Sequence, residues 1–192
     1  MSSFIADYLY AQGTSKVPVA YHQWCCLSLL AATVADRVWL ERAPGRLVRP
    51  NLYVMLIGPS GVGKGDAMKE AASVGSAILG ADIFYGRITA AGLRDRLGKP
   101  KVDRSGAPIG SANHRIWLVQ EELALCIGTD KAMADEIIAM LVGIYSGNPA
   151  PLRDRTRTGG EVLMQNPCAS WLCGTTAEWL AKAVSPDAVA GG

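Results

Sequence analysis

Apolar positions recur at helical spacing across residues 19–36, a stretch without Gly or Pro. That pattern predicts a buried helix. Its most apolar part, residues 24–35, is about half the length a membrane span needs. Residues 37–41 (RVWLE) alternate like a short strand, and Ala43-Pro44-Gly45-Arg46 reads as a turn. Residues 51–57 (NLYVMLI) form a nearly continuous apolar run, as a strand buried on both faces would. A glycine loop follows, then an alanine-rich helix over residues 66–79. Thr89 is positioned to cap a short helix over residues 90–97. Residues 99–114 are polar, with two Pro and two Gly, and read as a surface loop. Strands are expected at residues 116–119 and 169–173, and helices at 132–145 and 177–184. Residues 151–165 carry three arginines and a Gly159-Gly160 turn, the marks of an exposed hairpin.

Alternating strands and helices imply an α/β domain with a parallel sheet. The expected organisation is an N-terminal helix and hairpin over residues 1–50, packing on a core over residues 51–192. The chain has 192 residues, 49% hydrophobic and 19% charged. Such a composition excludes a disordered or collagen-like chain. The formal net charge of +2 is too small to imply a nucleic-acid partner by itself. Five cysteines without CxxC spacing and two histidines argue against structural zinc. The opening residues lack a basic leader, so a reduced, cytoplasmic setting is expected.

The chemistry is most legible at Gly58-Pro59-Ser60-Gly61-Val62-Gly63-Lys64-Gly65. These residues match the phosphate-binding pattern G-x-x-x-x-G-K. Glycines let backbone N–H groups converge on phosphate oxygens. The helix that follows aims its N-terminus at the same anion. Lys64 is the group expected to reach the β and γ phosphates of ATP. The position after the lysine normally carries Ser or Thr, whose hydroxyl binds Mg²⁺. Here it is Gly65, followed by Asp66. Asp66 has two readings: it holds a metal-bound water, or it favours the helix N-terminus as an acidic residue.

Residues 115–123 (RIWLVQEEL) form an apolar strand ending in acids. Such a strand, expected beside the phosphate-loop strand, delivers one carboxylate to Mg²⁺ through water and another to the attacking water. In the preferred register Glu121 takes the metal position and Glu122 is the base. In the other, Gln120 takes the metal position and Glu121 is the base. Residues 168–176 (CASWLCGTT) form a third strand ending in hydroxyls. Thr175 or Thr176 is placed to touch a γ-phosphate, and Thr175 with Glu178 also fits a capping box.

The order of these features resembles a phage and plasmid family of replication-associated P-loop proteins. Its members look like helicases coupled to primases and are similar to the AAA+ and superfamily 3 helicases. The resemblance spans roughly residues 20–192 and rests on NLYVMLIGPSGVGKG, ITAAGLRDRL, WLVQEEL and NPCASWLCGTTAEWL. It implies an AAA+/RecA-like P-loop ATPase core, truncated at its C-terminal end. It also implies an ATP-hydrolysing motor with Mg²⁺, working as a ring-like homo-oligomer on single-stranded DNA, with other replication proteins as partners. Two other functions remain open. One is a nucleotide-kinase-like phosphoryl transferase, suggested by G-K-G. The other is a nucleotide-binding assembly protein with slow hydrolysis.

Arg153, Arg155 and Arg157 lie two residues apart. On a strand they would share one face and could meet a phosphate backbone. One of them could instead reach a neighbouring subunit's γ-phosphate, or the row could be a solvated edge. The other basic cluster, with Arg87, Arg94, Arg96, Lys99, Lys101, Arg104 and Arg115, reads mostly as a solubilising face. Trp39, Trp117, Trp171 and Trp179 read as core packing.

Overall fold

The computed structural model describes residues 3–35, 37–44, 46–98, 115–124, 131–146, 152–156, 160–164 and 166–183. The polar segment at 99–114 lies outside them, as do Arg157 and Cys126.

Two helices open the chain. The first, α1 (Phe4–Ala11), has no counterpart in the apolar pattern read above. Its start is set by Ser3, whose hydroxyl accepts a hydrogen bond from the Ala6 amide at 3.2 Å. Then comes α2 (Val19–Val34), at the place its periodicity predicts, burying Cys25, Cys26, Leu29 and Ala32. The hairpin of β1 (Leu40–Ala43) and β2 (Arg46–Val48) follows, a few residues later than the alternation suggested. Trp39 beside it is 54% exposed, which corrects its assignment to the core.

The apolar run ends in β3 (Tyr53–Ile57), and six residues separate it from α3 (Lys64–Leu79). A short 3₁₀ turn leads to β4 (Ile83–Tyr85), which was not anticipated from the pattern. Helix α4 (Ala90–Gly98) is capped by Thr89, whose hydroxyl accepts from the Gly92 amide at 3.1 Å. Next come β5 (Arg115–Gln120), α5 (Lys131–Tyr145), and a hairpin of β6 (Leu152–Thr156) and β7 (Gly160–Met164). The described chain closes with β8 (Cys168–Thr175) and α6 (Ala177–Ala183).

Four strands form one parallel sheet in the order β3-β8-β5-β4. The architecture is therefore α/β, a four-stranded parallel sheet flanked by helices, compatible with a P-loop-like fold. Two expectations are corrected by this order. The acidic strand β5 is not beside β3, because β8 is inserted between them and pairs with both. And β3, read as buried on both faces, is at an edge among the described strands, with Met55 38% and Ile57 45% exposed. The fully enclosed strand is β5, whose six residues are all buried.

Alternation along the strands divides the core in two. Val54, Leu56, Trp117, Val119 and Leu172 face α1, α2 and α3. Helix α3 meets the sheet with Ala67, Met68, Ala71 and Ala72, mostly small residues that let it lie close. Ile116, Leu118 and Ala169 face the opposite way, onto Leu93 and Leu97 of α4 and Ile137, Leu141 and Ile144 of α5. The β6–β7 hairpin joins this second layer through Met164.

Two arginines expected on a solvated face are inside. Arg115 is buried at the start of β5 and donates to Asp82 Oδ2 from Nη2 at 2.7 Å and from Nε at 3.2 Å. It also reaches the Thr33 carbonyl at 3.2 Å, tying α2 to the β4 turn. Arg94 is buried against Glu136 of α5 at 3.3 Å. A desolvated guanidinium needs such partners, and sequence spacing alone does not show them. Arg96 keeps an exposed place over the Phe84 ring, 4.9 Å from its centroid. No helix among the described residues is long and apolar enough to cross a membrane.

Candidate functional site

In a parallel sheet, the carboxyl ends of the strands leave loops at one edge where a ligand can enter. At that edge a cleft of about 380 Å³ opens, within the usual range for small-molecule sites. The loop after β3 supplies Ser60, Gly61, Gly63, Lys64, Gly65 and Asp66. The end of β5 supplies Glu121 and Glu122, and the end of β8 supplies Thr175 with Thr176. The inserted strand β8 thus sets hydroxyls between the glycine loop and the acids. The residues singled out on three separated segments meet in one place, except for Gly58, Pro59 and Val62, which belong to the same loop but do not line the cleft.

The glycine loop has the shape its composition allows. Gly61 and Gly63 have φ of 79° and 85°, the left-handed region that side chains disfavour. Gly63 is the N-cap of α3 and offers no side-chain cap. The first amides of a 16-residue helix are therefore open toward the cleft. Lys64 folds back and donates to the carbonyls of Gly58 and Pro59, each at 2.7 Å. The loop is braced from behind by the N-terminal segment. Tyr21 of α2 donates its hydroxyl to the Ile57 carbonyl at 3.1 Å. Val17 stands against Gly63, leaving no room there for a side chain.

The acidic side is organised differently. Gln120 is buried and turned away from the cleft, accepting at 2.6 Å from the Trp171 indole. Glu121 is held at both oxygens. Its Oε1 accepts from the Tyr85 hydroxyl, and its Oε2 is 3.3 Å from Lys69 Nζ. Partial burial of the Tyr85 hydroxyl, then the hydrogen bond to Glu121 and that carboxylate's charge, hold the phenol protonated well above its usual range. Tyr85 and Lys69 escaped the sequence reading. Tyr85 is on the unanticipated β4, and Lys69 is one of several charges on α3. A signal existed for the lysine, since position 69 follows Gly65 by one helical turn. Glu122 is exposed at the rim of the cleft.

Thr175 is buried at the end of β8, where its carbonyl accepts from the Gly58 amide at 3.3 Å. The cap of α6 is Thr176, not Thr175. Its hydroxyl accepts from the Trp179 amide at 3.2 Å. Glu178 hydrogen-bonds its own backbone N–H and the Thr176 hydroxyl, which lowers its carboxyl below the usual value. The expected Thr175–Glu178 capping box therefore does not form: β8 extends through Thr175 and keeps it in the sheet, and with Thr176 as the cap Glu178 stands one position too early to close a box.

At Glu121, the expected metal position, the donors present do not suit Mg²⁺, while Asp66 and Glu122 line the same cleft as exposed carboxylates. Gly65 has no hydroxyl, and Glu121 has both oxygens engaged. Among the described residues no three of His, Cys, Asp and Glu stand together as a metal group. Arg153 and Arg155 lie on β6, whose partners across the hairpin are Leu163 and Glu161. Arg157 lies outside the described residues.

No protein-family model matches the chain, and no curated protein matches it.

Proposed function

We propose that this chain is a P-loop ATPase of the AAA+/RecA-like kind, which binds ATP in the cleft and hydrolyses it. The observation that carries the reading is the convergence of an uncapped helix N-terminus, Lys64 and Glu122 at the carboxyl edge of one parallel sheet. Triphosphate oxygens would take the open amides of α3. Lys64 would exchange the carbonyls of Gly58 and Pro59 for the β and γ phosphates, which moves a cation from neutral to charged partners. Thr175 and Thr176 would face the terminal phosphate from β8. Glu122, exposed on the opposite wall, would orient a water and take its proton. Gln120 is bonded to Trp171 on the other face, which supports Glu122 as the base over the register one residue earlier.

The motor reading extends this site to nucleic acid. Its support is the β6–β7 hairpin, which carries Arg153 and Arg155 on an extended strand just before β8. Homo-oligomeric assembly and single-stranded DNA as the track belong to the same proposal. A second reading has its own observation. Gly65 in place of a hydroxyl residue favours a nucleotide-binding assembly protein with slow hydrolysis.

The test is steady-state ATP hydrolysis with and without single-stranded DNA, for the parent and Glu122→Gln. The expected result is DNA-stimulated turnover that falls by about two orders of magnitude or more in Glu122→Gln, with nucleotide affinity kept. Equal turnover in the two proteins would remove Glu122 from the chemistry. Turnover indifferent to DNA would favour the assembly reading.

A further inference from the structure

The acidic wall holds a charge arrangement that the proposed hydrolysis does not use. Lys69 Nζ stands 3.3 Å from Glu121 Oε2, and its side chain is 58% exposed within the lining of the cleft. Tyr85 occupies the other oxygen of the same carboxylate. A Cβ built on Gly65 would be 2.7 Å from Glu121 Oε2. The carboxylate therefore fills the space where a Ser or Thr side chain at position 65 would sit. Lys69, one turn further along α3, projects over the same helix face. Glycine at 65, the carboxylate against it and the ammonium beyond form one arrangement.

Resting on the ATP-binding reading above, we infer that Lys69 supplies the positive charge which a divalent cation would otherwise bring beside Glu121, so that nucleotide binding does not depend on Mg²⁺. A divalent ion in such a site needs a free carboxylate or a hydroxyl together with phosphate oxygens. Beside position 65 the Glu121 carboxylate is bonded on both sides and the hydroxyl is missing, and the other carboxylates of the cleft, Asp66 and Glu122, are exposed. An ammonium is a compact charge with three donors, suited to bind phosphate without a fixed fork. With Glu121 on one side, Lys69 has donors left for a phosphate oxygen entering from the α3 end. Lys64 and Lys69 together then place two cations around the terminal phosphates. Lys69 acts here as a charge-positioning residue, and no bond is made or broken at it.

The experiment is equilibrium titration with a fluorescent ATP analogue, in excess EDTA and in excess Mg²⁺, on four proteins. They are the parent, Lys69→Met, Lys69→Arg and Lys64→Ala. Lys69 is exposed, so its variants are expected to fold like the parent. The parent should bind with affinities within about threefold in the two buffers. Lys69→Met should lose about tenfold in EDTA and recover most of it in Mg²⁺, because Glu121 is released to hold a hydrated ion. Lys69→Arg keeps the charge and should behave like the parent. The inference is overturned if the parent weakens tenfold or more in EDTA and Lys69→Met shows the same metal response. If Lys64→Ala binds as well as the parent in both buffers, the ATP-binding reading itself fails, and this inference with it.

Discussion

The two faces of the sheet are built from the same strands and do different work. On the α1–α2–α3 face, short side chains bring α3 close to β3, β5 and β8, and the cleft opens at its amino end. On the α4–α5 face, larger aliphatic residues fill a layer that also takes in the β6–β7 hairpin. The first face carries polar groups at its rim and a brace from the N-terminus, Tyr21 and Val17 on the glycine loop. The second is closed by Arg94 with Glu136 and by the Trp171–Gln120 hydrogen bond. Position along β5 decides which a residue serves. Trp117 belongs to the cleft face and Leu118 to the other, one residue apart. The lesson is that site geometry here depends on one layer, while the other mainly supplies stability.

Large-to-small changes on the two faces should break that comparison open. Trp117→Ala removes a fully buried ring whose indole donates to Ser28 at 3.0 Å. It should cost about 3–5 kcal/mol and, where the protein still folds, weaken nucleotide binding. Leu141→Ala on α5 should cost about 2–5 kcal/mol and leave affinity unchanged in the folded fraction. Urea unfolding alongside nucleotide titration measures both quantities. Equal loss of affinity in the two variants would erase the functional difference between the faces.

A smaller effect sharpens the rim of the cleft. Thr176→Ala removes the cap of α6 and should cost about 1 kcal/mol. Thr175→Ala leaves that cap in place, so a larger fall in ATP turnover than in helix stability is expected from it. Thermal unfolding and hydrolysis of the two variants separate cap from site. The reverse pattern would return the cap to Thr175.

Much of this was legible in the sequence wherever a local pattern carries the information. The glycine loop, α2, α3, β5 and the Thr89 cap follow from spacing and residue type. What was not legible depends on pairing between distant segments. Insertion of β8 between β3 and β5 leaves no trace in either apolar run, and an edge strand like β3 can be as apolar as an enclosed one. Arg115 and Arg94 read as solvated because Asp82 and Glu136 are 33 and 42 residues away in the chain. β4 is only three residues long, too short for a period to show, so Tyr85 and its hold on Glu121 were invisible. The arginine row is confirmed as strand for Arg153 and Arg155, while Arg157 falls outside the described residues.

The central claim is that the cleft binds a triphosphate through Lys64 and the open amides of α3. Equilibrium binding of ATP to the parent and to Lys64→Ala, followed by calorimetry at one salt concentration, tests it most directly. Saturable binding to the parent and a loss of about tenfold or more in Lys64→Ala are expected, since a cation on the β and γ phosphates is removed. Unchanged affinity in a folded Lys64→Ala would make residues 58–65 a structural turn and contradict the account.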